Sequence, residues 1–404
     1  MSETASILQL KPGKEKSLLR RHPWVYATAV ARVRGRVQSG STVRVESADG
    51  RFLAWAAFSP ESAIRARAWT YDEARPVTPA LVSERLARAI ARRAPLAART
   101  DAVRLVFGEA DGLPGLVVDR YGRQLVVQFL AAGVDAWREH IVRELPRLAG
   151  CDDVYERSDA QAREREGLVP REGVIAGAPP PGRIEIVEDE VRYGVDVVGG
   201  HKTGFYIDQR DNRRLVARQA AGRRMLNCFC YTGGFTVAAL AGMRAAGVDD
   251  GEVVSIDSSA PALARARANL ASNGFDAARA RFLDADVNAS LRQYLRDGAR
   301  FDAIVLDPPK FAPTVTHAER AARAYKDINR LALQLLEPGG VLFTFSCSGG
   351  ISADLFHKIV ASAGADAGVD GYIVETMGAA PDHPMTLEFP EGEYLKGLVV
   401  MRKP

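Results

Sequence analysis

The chain contains 404 residues, of which 47% are hydrophobic and 26% charged, and its formal net charge is +4 at pH 7. This length exceeds one ordinary core and predicts two or three domains. No apolar run approaches the roughly 18 residues that span a bilayer, and residues 1–10 lack the basic start and long apolar centre of a secretory signal. We therefore expect a cytoplasmic protein without a membrane partner.

The four cysteines show no disulfide pattern: Cys151, Cys228, Cys230 and Cys347. Cys228 and Cys230 are separated by one residue, and no second Cys or His pair follows at the spacing of a zinc site. The sequence therefore predicts reduced thiols and no metal site.

Positive charge is concentrated near the start of the chain. Residues 1–75 contain 13 Lys and Arg against 7 Asp and Glu, whereas the remainder is slightly acidic. Such a segment favours a polyanionic partner, although a solvated basic surface also explains the count. The candidate RNA-binding residues form one cluster: Lys14, Lys16, Arg20 and Arg21.

The same segment predicts a small all-β barrel. Short apolar alternations recur from Ile7 to Thr70, separated by turn signals such as Asp49-Gly50. The basic cluster leads into Trp24, and RNA-binding modules combine cations with aromatic rings in this way. The alternative is that Trp24, Trp55 and Trp69 are core residues.

Residues 76–182 predict a small α+β module. We expect helices from Pro79 to Arg99, where apolar residues repeat at i+4, and from about Val134 to Leu148. Strands are expected at 103–107, 116–118, 124–129 and 154–155, with a turn at 119–122. The proline-rich stretch 177–182 is typical of a linker or domain edge.

Beyond a hairpin at 184–198, strands alternate with helices, which predicts a doubly wound α/β sheet. The expected strands are 224–227, 252–256, 281–283, 303–306 and 341–345. The expected helices are 235–243, 260–272, 318–336 and 353–363.

The first of these strands leads into a loop, Asn227 to Phe235, that contains Gly233-Gly234. Paired glycines allow a tight turn and let a ligand approach the backbone at a helix start. The GxGxxG fingerprint of dinucleotide sites is absent. The loop therefore favours a cofactor without phosphate, such as S-adenosylmethionine.

Acidic residues follow the next two strands. Asp257 could accept hydrogen bonds from both ribose hydroxyls, and Asp286 could accept one from an adenine amino group. A helix cap is the alternative for each carboxylate. Together with the Gly-Gly loop, they outline a slot for adenosine.

Two further strand ends carry Asp307-Pro308-Pro309-Lys310 and Ser346-Cys347-Ser348. In open α/β sheets the carboxyl ends of strands gather at one crevice. A carboxylate and a thiol there suggest covalent catalysis on a pyrimidine ring. The alternative for Cys347 is an inert buried thiol.

Motifs across nearly the whole chain resemble those of the bacterial large-subunit ribosomal RNA cytosine-C5 methyltransferases. They are Lys14–Val25, Gly200–Arg210, Asn227–Phe235, Asp307–Phe311, Tyr325–Asn329 and Phe343–Ser348. The resemblance implies a PUA RNA-binding domain at 1–75, a central α+β domain at 76–182 and a class I S-adenosylmethionine-dependent methyltransferase domain at 183–404. Cys230 departs from the family pattern, and we interpret it as a packing residue.

Position by position, the resemblance implies a set of cofactor-binding residues: Thr203, Phe205, Gln209, Arg210, Asn227, Phe229, Tyr231, Thr232, Gly233, Asp257, Asp286, Asp307 and Pro308. It implies that Asp307 also contacts the target base and that Cys347 is the nucleophile. His383 is a candidate for the base that removes the C5 proton, and a structural histidine is the alternative.

The resemblance further implies that S-adenosylmethionine is converted to S-adenosylhomocysteine. The substrate would be 23S ribosomal RNA, naked or partly assembled, with cytosine 1962 as the family target. A homodimer is possible, and the sequence does not determine the oligomeric state. Two rival functions remain at this point: an amino-group methyltransferase acting on adenine or guanine, and a non-catalytic RNA-binding assembly factor.

Overall fold

The computed structural model describes residues 6–159, 161–248, 251–311 and 318–404. The chain forms two compact units. The first comprises Met1–Ile186, Val195–Ile207 and Asp382–Gly392, and the second comprises Val187–Gly194, Asp208–Pro381 and Glu393–Pro404. Within the described ranges, no helix is both long and apolar enough to cross a membrane.

The first unit begins with a six-stranded sheet. Its elements are β1 (Ile7–Leu10), α1 (Lys16–Leu19), β2 (Trp24–Tyr26), β3 (Val30–Arg34), β4 (Thr42–Glu46), β5 (Phe52–Phe58) and β6 (Ile64–Thr70). The strand order is β2-β6-β5-β4-β1-β3, and only β1 and β4 pair in parallel. Alternate residues such as Val43 and Val45 are fully buried, as the strand period of two predicts.

A five-stranded sheet with helices follows in the same unit. Its elements are α2 (Pro79–Arg93), β7 (Ala102–Phe107), β8 (Leu116–Tyr121), β9 (Gln124–Phe129), α3 (Ala132–Ala136), α4 (Arg138–Ala149), β10 (Asp153–Ser158), α5 (Gln161–Glu164) and β11 (Arg171–Ala176). The strand order is β11-β10-β9-β8-β7.

Several predicted boundaries in this sheet module were wrong, including that of β10, which extends to Ser158 and not only to Tyr155. The first helix ends at Arg93 and continues as a 3-10 helix that contains Pro95, because proline cannot donate the next helical hydrogen bond. The second breaks at Trp137 into α3 and α4. The turn after β8 starts only at Gly122, whose φ of 58° suits glycine.

The second unit is built on a seven-stranded sheet. The residue ranges of both units include parts of the hairpin strands β12 (Ile184–Glu188) and β13 (Val191–Val195). The other elements of the second unit are α6 (Arg210–Arg218), β14 (Arg224–Cys228), α7 (Gly234–Ala245), β15 (Glu252–Asp257), α8 (Ala260–Ser272), β16 (Ala280–Asp284), α9 (Val287–Arg296), β17 (Phe301–Leu306), α10 (Ala318–Leu335), β18 (Leu336–Ser346), α11 (Ala353–Ala367), β19 (Gly371–Gly378) and β20 (Lys396–Arg402). Strands β12 and β13 form a separate two-stranded sheet.

The strand order of the large sheet is β16-β15-β14-β17-β18-β20-β19. The first five strands run parallel, and β20 lies antiparallel to both of its neighbours. Successive residues face opposite cores: Leu226 packs in one apolar cluster and Met225 in the other. The predicted doubly wound α/β sheet is therefore confirmed, and its order reverses beside β14, where ligand crevices form.

Candidate functional site

The ends of β17 and β18 bring a thiol next to the Asp307-Pro308 segment. These parallel strands pair in register, with Leu306 opposite Thr344, so the residues that follow them emerge at one edge. The Cys347 thiol lies 3.9 Å from the carbonyl oxygen of Pro308. Cys347 is partly exposed, whereas the other three cysteines are buried. The structure thus brings a partly exposed sulfur to the strand end that carries the candidate carboxylate.

The Asp307 carboxylate is held by an amide from the segment before β14. Nε2 of Gln209 donates a hydrogen bond to Oδ2 of Asp307 across 3.0 Å. The amide of Gln209 is itself oriented by Asn212, whose Nδ2 donates to Oε1 at 2.6 Å and to the Gly378 carbonyl at 2.9 Å. Gln209 is 2% exposed. This chain of amides fixes one oxygen of the carboxylate without adding a charge.

The side chains of Tyr325 and Lys396 are buried near the candidate nucleophile, Cys347. The hydroxyls of Tyr325 and Ser348 lie 3.0 Å apart, and Nζ of Lys396 donates to the Ser348 carbonyl at 3.1 Å. Burial raises the pKa of Tyr325. Hydrogen bonds to Ser346 and Ser348 lower this pKa, and the nearby Cys347 raises it. Lys396 was not predicted as a site residue, although a lysine at the start of an apolar strand was a usable signal.

The loop after β14 has the features of a ligand loop. Phe229 and Tyr231 have φ values of 59° and 47°, a backbone region that non-glycine residues rarely adopt and that is concentrated at functional sites. Gly233, at φ 74°, occupies the N-cap of α7. Thr232 is buried, and its carbonyl accepts a hydrogen bond from Asn269.

The side chain of Asn227 supplies a direct test of whether S-adenosylmethionine fits this loop. Asn227 is 1% exposed, and its Nδ2 donates to Thr236 at 2.9 Å. Among the described residues, nothing donates to its Oδ1. A buried acceptor without a donor is costly, and the amino group of a methionine moiety would satisfy it. The loop therefore fits the cofactor.

The carboxylate of Asp257 is oriented by the backbone. Its two oxygens accept hydrogen bonds from the N–H groups of Tyr231 at 2.8 Å and Ser259 at 2.9 Å. Each oxygen keeps a second acceptor site, so both could still receive ribose hydroxyls. Asp286 is exposed and caps α9, with Oδ1 accepting from Ala289 at 2.7 Å. The cap alternative thus applies to Asp286, and its adenine contact stays a prediction.

Not all of the predicted cofactor residues lie in the second unit. Thr203 and Phe205 are buried in the first unit, where the Thr203 hydroxyl contacts Asp119 and Tyr121. Arg210 lies in the second unit, is fully buried and has its Nε 3.7 Å from Glu188. The cofactor contacts of these three residues stay predictions.

The remaining cysteines are structural in character. Burial raises the pKa of Cys228 far above its ordinary value, and it also raises the pKa of Cys230, with a further contribution from Asp257. Burial likewise raises the pKa of Cys151. Such thiols carry little thiolate near neutral pH, which supports the interpretation of Cys230 as a packing residue.

His383 has the environment of a structural histidine. It is 5% exposed, its Nδ1 lies 3.1 Å from Oδ1 of Asp382, and its ring packs against Phe107. All three residues belong to the first unit. These contacts favour the structural alternative over the role of a base.

The basic cluster lies on the surface around α1. All four of its side chains are exposed: Lys14, Lys16, Arg20 and Arg21. Nearby Trp24 is half-buried, with its Nε1 donating to Glu109 at 2.8 Å and its ring edge-on to Phe389. Trp69 is buried in the apolar cluster of the five-stranded module. The core alternative is therefore right for Trp69, and exposed cations adjoin a partly accessible ring at Trp24.

Models of known protein families match two parts of the chain. The model described as S-adenosylmethionine-dependent methyltransferase matches residues 173–392, and the PUA-like domain matches residues 8–71. The second match coincides with the six-stranded sheet.

Curated relatives match almost the entire chain. Ribosomal RNA large subunit methyltransferase I of Shewanella denitrificans is 48% identical over 396 residues, covering 97% of this chain and 98% of the relative. The protein of the same name from Klebsiella pneumoniae is 47% identical over 392 residues, covering 96% of each.

Solved structures share the fold at lower identity. A protein from Streptococcus mutans described as a SAM-dependent methyltransferase has a TM-score of 0.82 at 20% identity, with 98% of this chain and 99% of that one covered. A methyltransferase complexed with SAH has a TM-score of 0.84 at 21% identity and the same coverage.

Proposed function

Because this chain belongs to the ribosomal RNA large subunit methyltransferase I family of S-adenosylmethionine-dependent methyltransferases, we propose that it forms 5-methylcytosine in 23S ribosomal RNA. The family resemblance predicted from the motifs is thereby confirmed. The finer proposal is that a single cytosine, the family target 1962, is methylated through a covalent adduct with Cys347. The observation that supports this proposal is the 3.9 Å distance between the Cys347 thiol and the carbonyl oxygen of Pro308, the residue that follows Asp307.

Carbon 5 of cytosine needs activation before it can be methylated. The ring is aromatic and electron-poor, so carbon 5 is a weak nucleophile. If the Cys347 thiolate adds to carbon 6, a C–S bond forms and the ring electrons shift toward carbon 5 and N3. Splitting one difficult step into two easier ones is the general gain of covalent catalysis.

Asp307 is suited to balance the charge that this addition creates. A carboxyl group at N3 can donate or share a proton as the ring accepts electrons. Gln209 fixes Oδ2 of Asp307, so the carboxyl group would meet the base in a defined orientation. After methylation, loss of the C5 proton lets the C–S bond break and returns the thiolate. We assign no residue to that last proton transfer.

S-adenosylmethionine, the cofactor of this family, supplies an electrophilic methyl group when it is bound. We propose that Asn227 accepts from its amino group and that Asp257 accepts from its ribose hydroxyls. The unpartnered Oδ1 of Asn227 and the backbone-oriented carboxylate of Asp257 support these roles. The flanking residues of the loop, Phe229 to Gly233, would approach through their backbone.

The N-terminal PUA-like segment would hold the RNA. Its exposed cluster Lys14, Lys16, Arg20 and Arg21 can neutralise phosphates without reading the sequence. Binding of naked or partly assembled 23S ribosomal RNA, rather than the complete subunit, would let a base be extruded into a pocket.

A trapping experiment tests the covalent mechanism directly. RNA fragments that contain 5-fluorocytosine at the target cannot lose a proton from carbon 5, so the protein should remain attached to them when the cofactor is present. Cys347→Ala should abolish both trapping and methylation but still bind cofactor. Cys151→Ala, which removes a buried thiol of the first unit, is the matched control and should retain both.

The two rival functions give different results in the same assay. An amino-group methyltransferase would modify adenine or guanine, would form no adduct, and would not need Cys347. A non-catalytic assembly factor would bind RNA without transferring any methyl group from labelled cofactor. Full methylation by the Cys347→Ala protein would refute the covalent proposal.

A further inference from the structure

Lys396 is a buried lysine beside the strand end that carries Cys347. It is the first residue of β20, and its Cα pairs with Ser346 of β18. Its exposed fraction is 5%, which is unusual for lysine. Its ammonium group donates to the carbonyl of Ser348 across 3.1 Å. The lysine therefore bridges the residues on either side of Cys347.

This cation lacks a carboxylate partner among the described residues, since none lies within 4.0 Å of its Nζ. Its hydrogen bond goes to a neutral carbonyl, which offsets burial only in part. Burial lowers the pKa of Lys396, whereas Glu393 and Cys347 raise it and Lys310 lowers it. A buried cation in this position gains from a nearby anion.

Cys347 can supply that anion. A thiolate, and not a thiol, is the nucleophile in thiol chemistry, and neighbouring cations favour its formation. Two further ionisable groups lie at this strand end: the carboxyl group of Asp307, one residue from Pro308, and the phenol of Tyr325 on α10. A carboxylate at Asp307 disfavours a second anion nearby, so the thiolate depends all the more on a cation. Burial raises the pKa of the Tyr325 phenol, so the phenol stays neutral near pH 7. Lys310 is exposed, which leaves its charge screened by water.

We infer that the ammonium group of Lys396 stabilises the thiolate form of Cys347 and so prepares it for attack on the pyrimidine. The inference rests on the proposed role of Cys347 as nucleophile. Lys396 acts through the sulfur and is a positioning residue rather than a catalytic one. The attraction is mutual: the thiolate also compensates the buried ammonium group.

The test is the pH profile of Cys347 alkylation by iodoacetamide, followed by mass spectrometry of the peptide that contains this residue. The assay needs no RNA. In the wild-type protein, the midpoint of the profile should lie below about 8.5, the ordinary value for a thiol. Lys396→Met should raise it by about one pH unit, so that alkylation at pH 7 slows by about tenfold. Lys396→Arg should stay near the wild-type profile.

Lys358→Met is the matched control, because Lys358 is an exposed lysine of α11 paired with Asp354, and its profile should not change. A wild-type midpoint above about 8.5 would overturn the inference without any variant, even if Lys396→Met failed to fold. A Lys396→Met profile that superimposes on the wild type would also overturn it. Retained methylation by Cys347→Ala would instead refute the proposed function, so the two failures are distinguishable.

Discussion

Gln209 donates a hydrogen bond from Nε2 to Oδ2 of Asp307 across 3.0 Å, which joins the segment before α6 to the strand end after β17. The two residues are 98 positions apart. Because the buried amide of Gln209 binds one oxygen of the Asp307 carboxylate, it fixes the orientation of that carboxylate. Gln209 was predicted to border the cofactor, and from its observed contact we propose that it acts through Asp307.

We therefore expect Gln209→Leu to slow methylation more than it weakens cofactor binding. A hydrogen bond to a charged group contributes about 1.5–3 kcal/mol, so the single-turnover rate should fall by at least about tenfold. The dissociation constant of S-adenosylmethionine, measured by calorimetry, should change by less than about threefold. Asn212→Ala, which only orients the amide, should show a smaller loss of rate.

A Gln209→Leu protein that loses cofactor affinity in proportion to its rate would contradict this role. That result would instead support the cofactor contact that the family resemblance implied for Gln209.

The ribose role of Asp257 can be isolated with a modified ligand. S-adenosylhomocysteine should bind the wild-type protein about tenfold more tightly than its 2′-deoxy analogue, because the analogue cannot donate one of the proposed ribose hydrogen bonds to the Asp257 carboxylate. In Asp257→Ala the two ligands should bind almost equally, whatever the overall loss. Competition against labelled S-adenosylmethionine measures both constants.

Asp284 provides the control for this comparison. It ends the neighbouring strand β16, pairs with Asp257 and is exposed. Asp284→Ala should keep the wild-type preference for the ribose hydroxyl. If Asp257→Ala also kept it, the carboxylate would serve only to brace the loop through the Tyr231 N–H.

Elements with local signals could be predicted from the sequence almost to the residue. Helix α8 occupies the predicted range, Ala260–Ser272. The local signals are clear there, because Ser259 caps the start, Pro261 lies in the first turn and Gly274 follows the end. The strands β14, β15 and β17 were almost as clear, because strands buried on both faces are continuous apolar runs. The start of β18 was predicted wrongly: the strand begins at Leu336, five residues before the expected position.

Helix α6 could not be predicted in this way. Its buried face includes Arg210 and Arg213, which hides the apolar periodicity that marks a helix. Arg213 is neutralised by two 2.7 Å hydrogen bonds to Glu188, a residue on a hairpin 25 positions away. The contacts of Gln209 with Asp307 and of Lys396 with Ser348 depend in the same way on tertiary structure, which a single sequence does not encode locally.

The buried Arg213–Glu188 pair should be costly to break. Removing one partner of a buried ion pair destabilises a protein by about 3–5 kcal/mol, because the other charge stays unpaired. Arg213→Met should therefore increase hydrogen exchange in α6 and β14 strongly. Arg213→Met combined with Glu188→Leu should recover only part of the loss, because it removes the unpaired carboxylate but also removes the neighbour of the buried Arg210, whose Nε lies 3.7 Å from Glu188.

Hydrogen exchange is the suitable measurement for this pair. All four tryptophans belong to the first unit, so fluorescence would not report on the second. Equal exchange in the single and the double variant would indicate that packing, and not the unpaired carboxylate, determines the cost.

The four cysteines should differ sharply in reactivity. Burial raises the pKa of Cys151, Cys228 and Cys230, so these thiols carry little thiolate at pH 8, whereas Cys347 is partly exposed. Native protein should therefore release about one equivalent of chromophore rapidly from a disulfide reagent such as DTNB, and four equivalents in urea. The rapid phase should vanish in Cys347→Ala, and its persistence there would mean that another thiol is accessible.

The exposed basic cluster should contribute charge, not sequence recognition, to RNA binding. Each phosphate that a protein neutralises adds about 0.7–0.9 to the slope of log affinity against log salt. Lys16→Ala combined with Arg20→Ala should lower that slope by about 1.5 and weaken binding similarly for different RNA sequences. Arg21 is left intact because its φ is 62° and its carbonyl accepts the Tyr71 hydroxyl.

The matched control removes two other exposed arginines of the same six-stranded module, Arg36 and Arg51. Both variants lose two positive charges, so a long-range effect of net charge would change their slopes equally. A local phosphate contact changes the slope only when Lys16 and Arg20 are replaced. Filter binding of a 23S fragment over a range of salt concentrations separates the two cases, and equal slopes in both variants would exclude the contact.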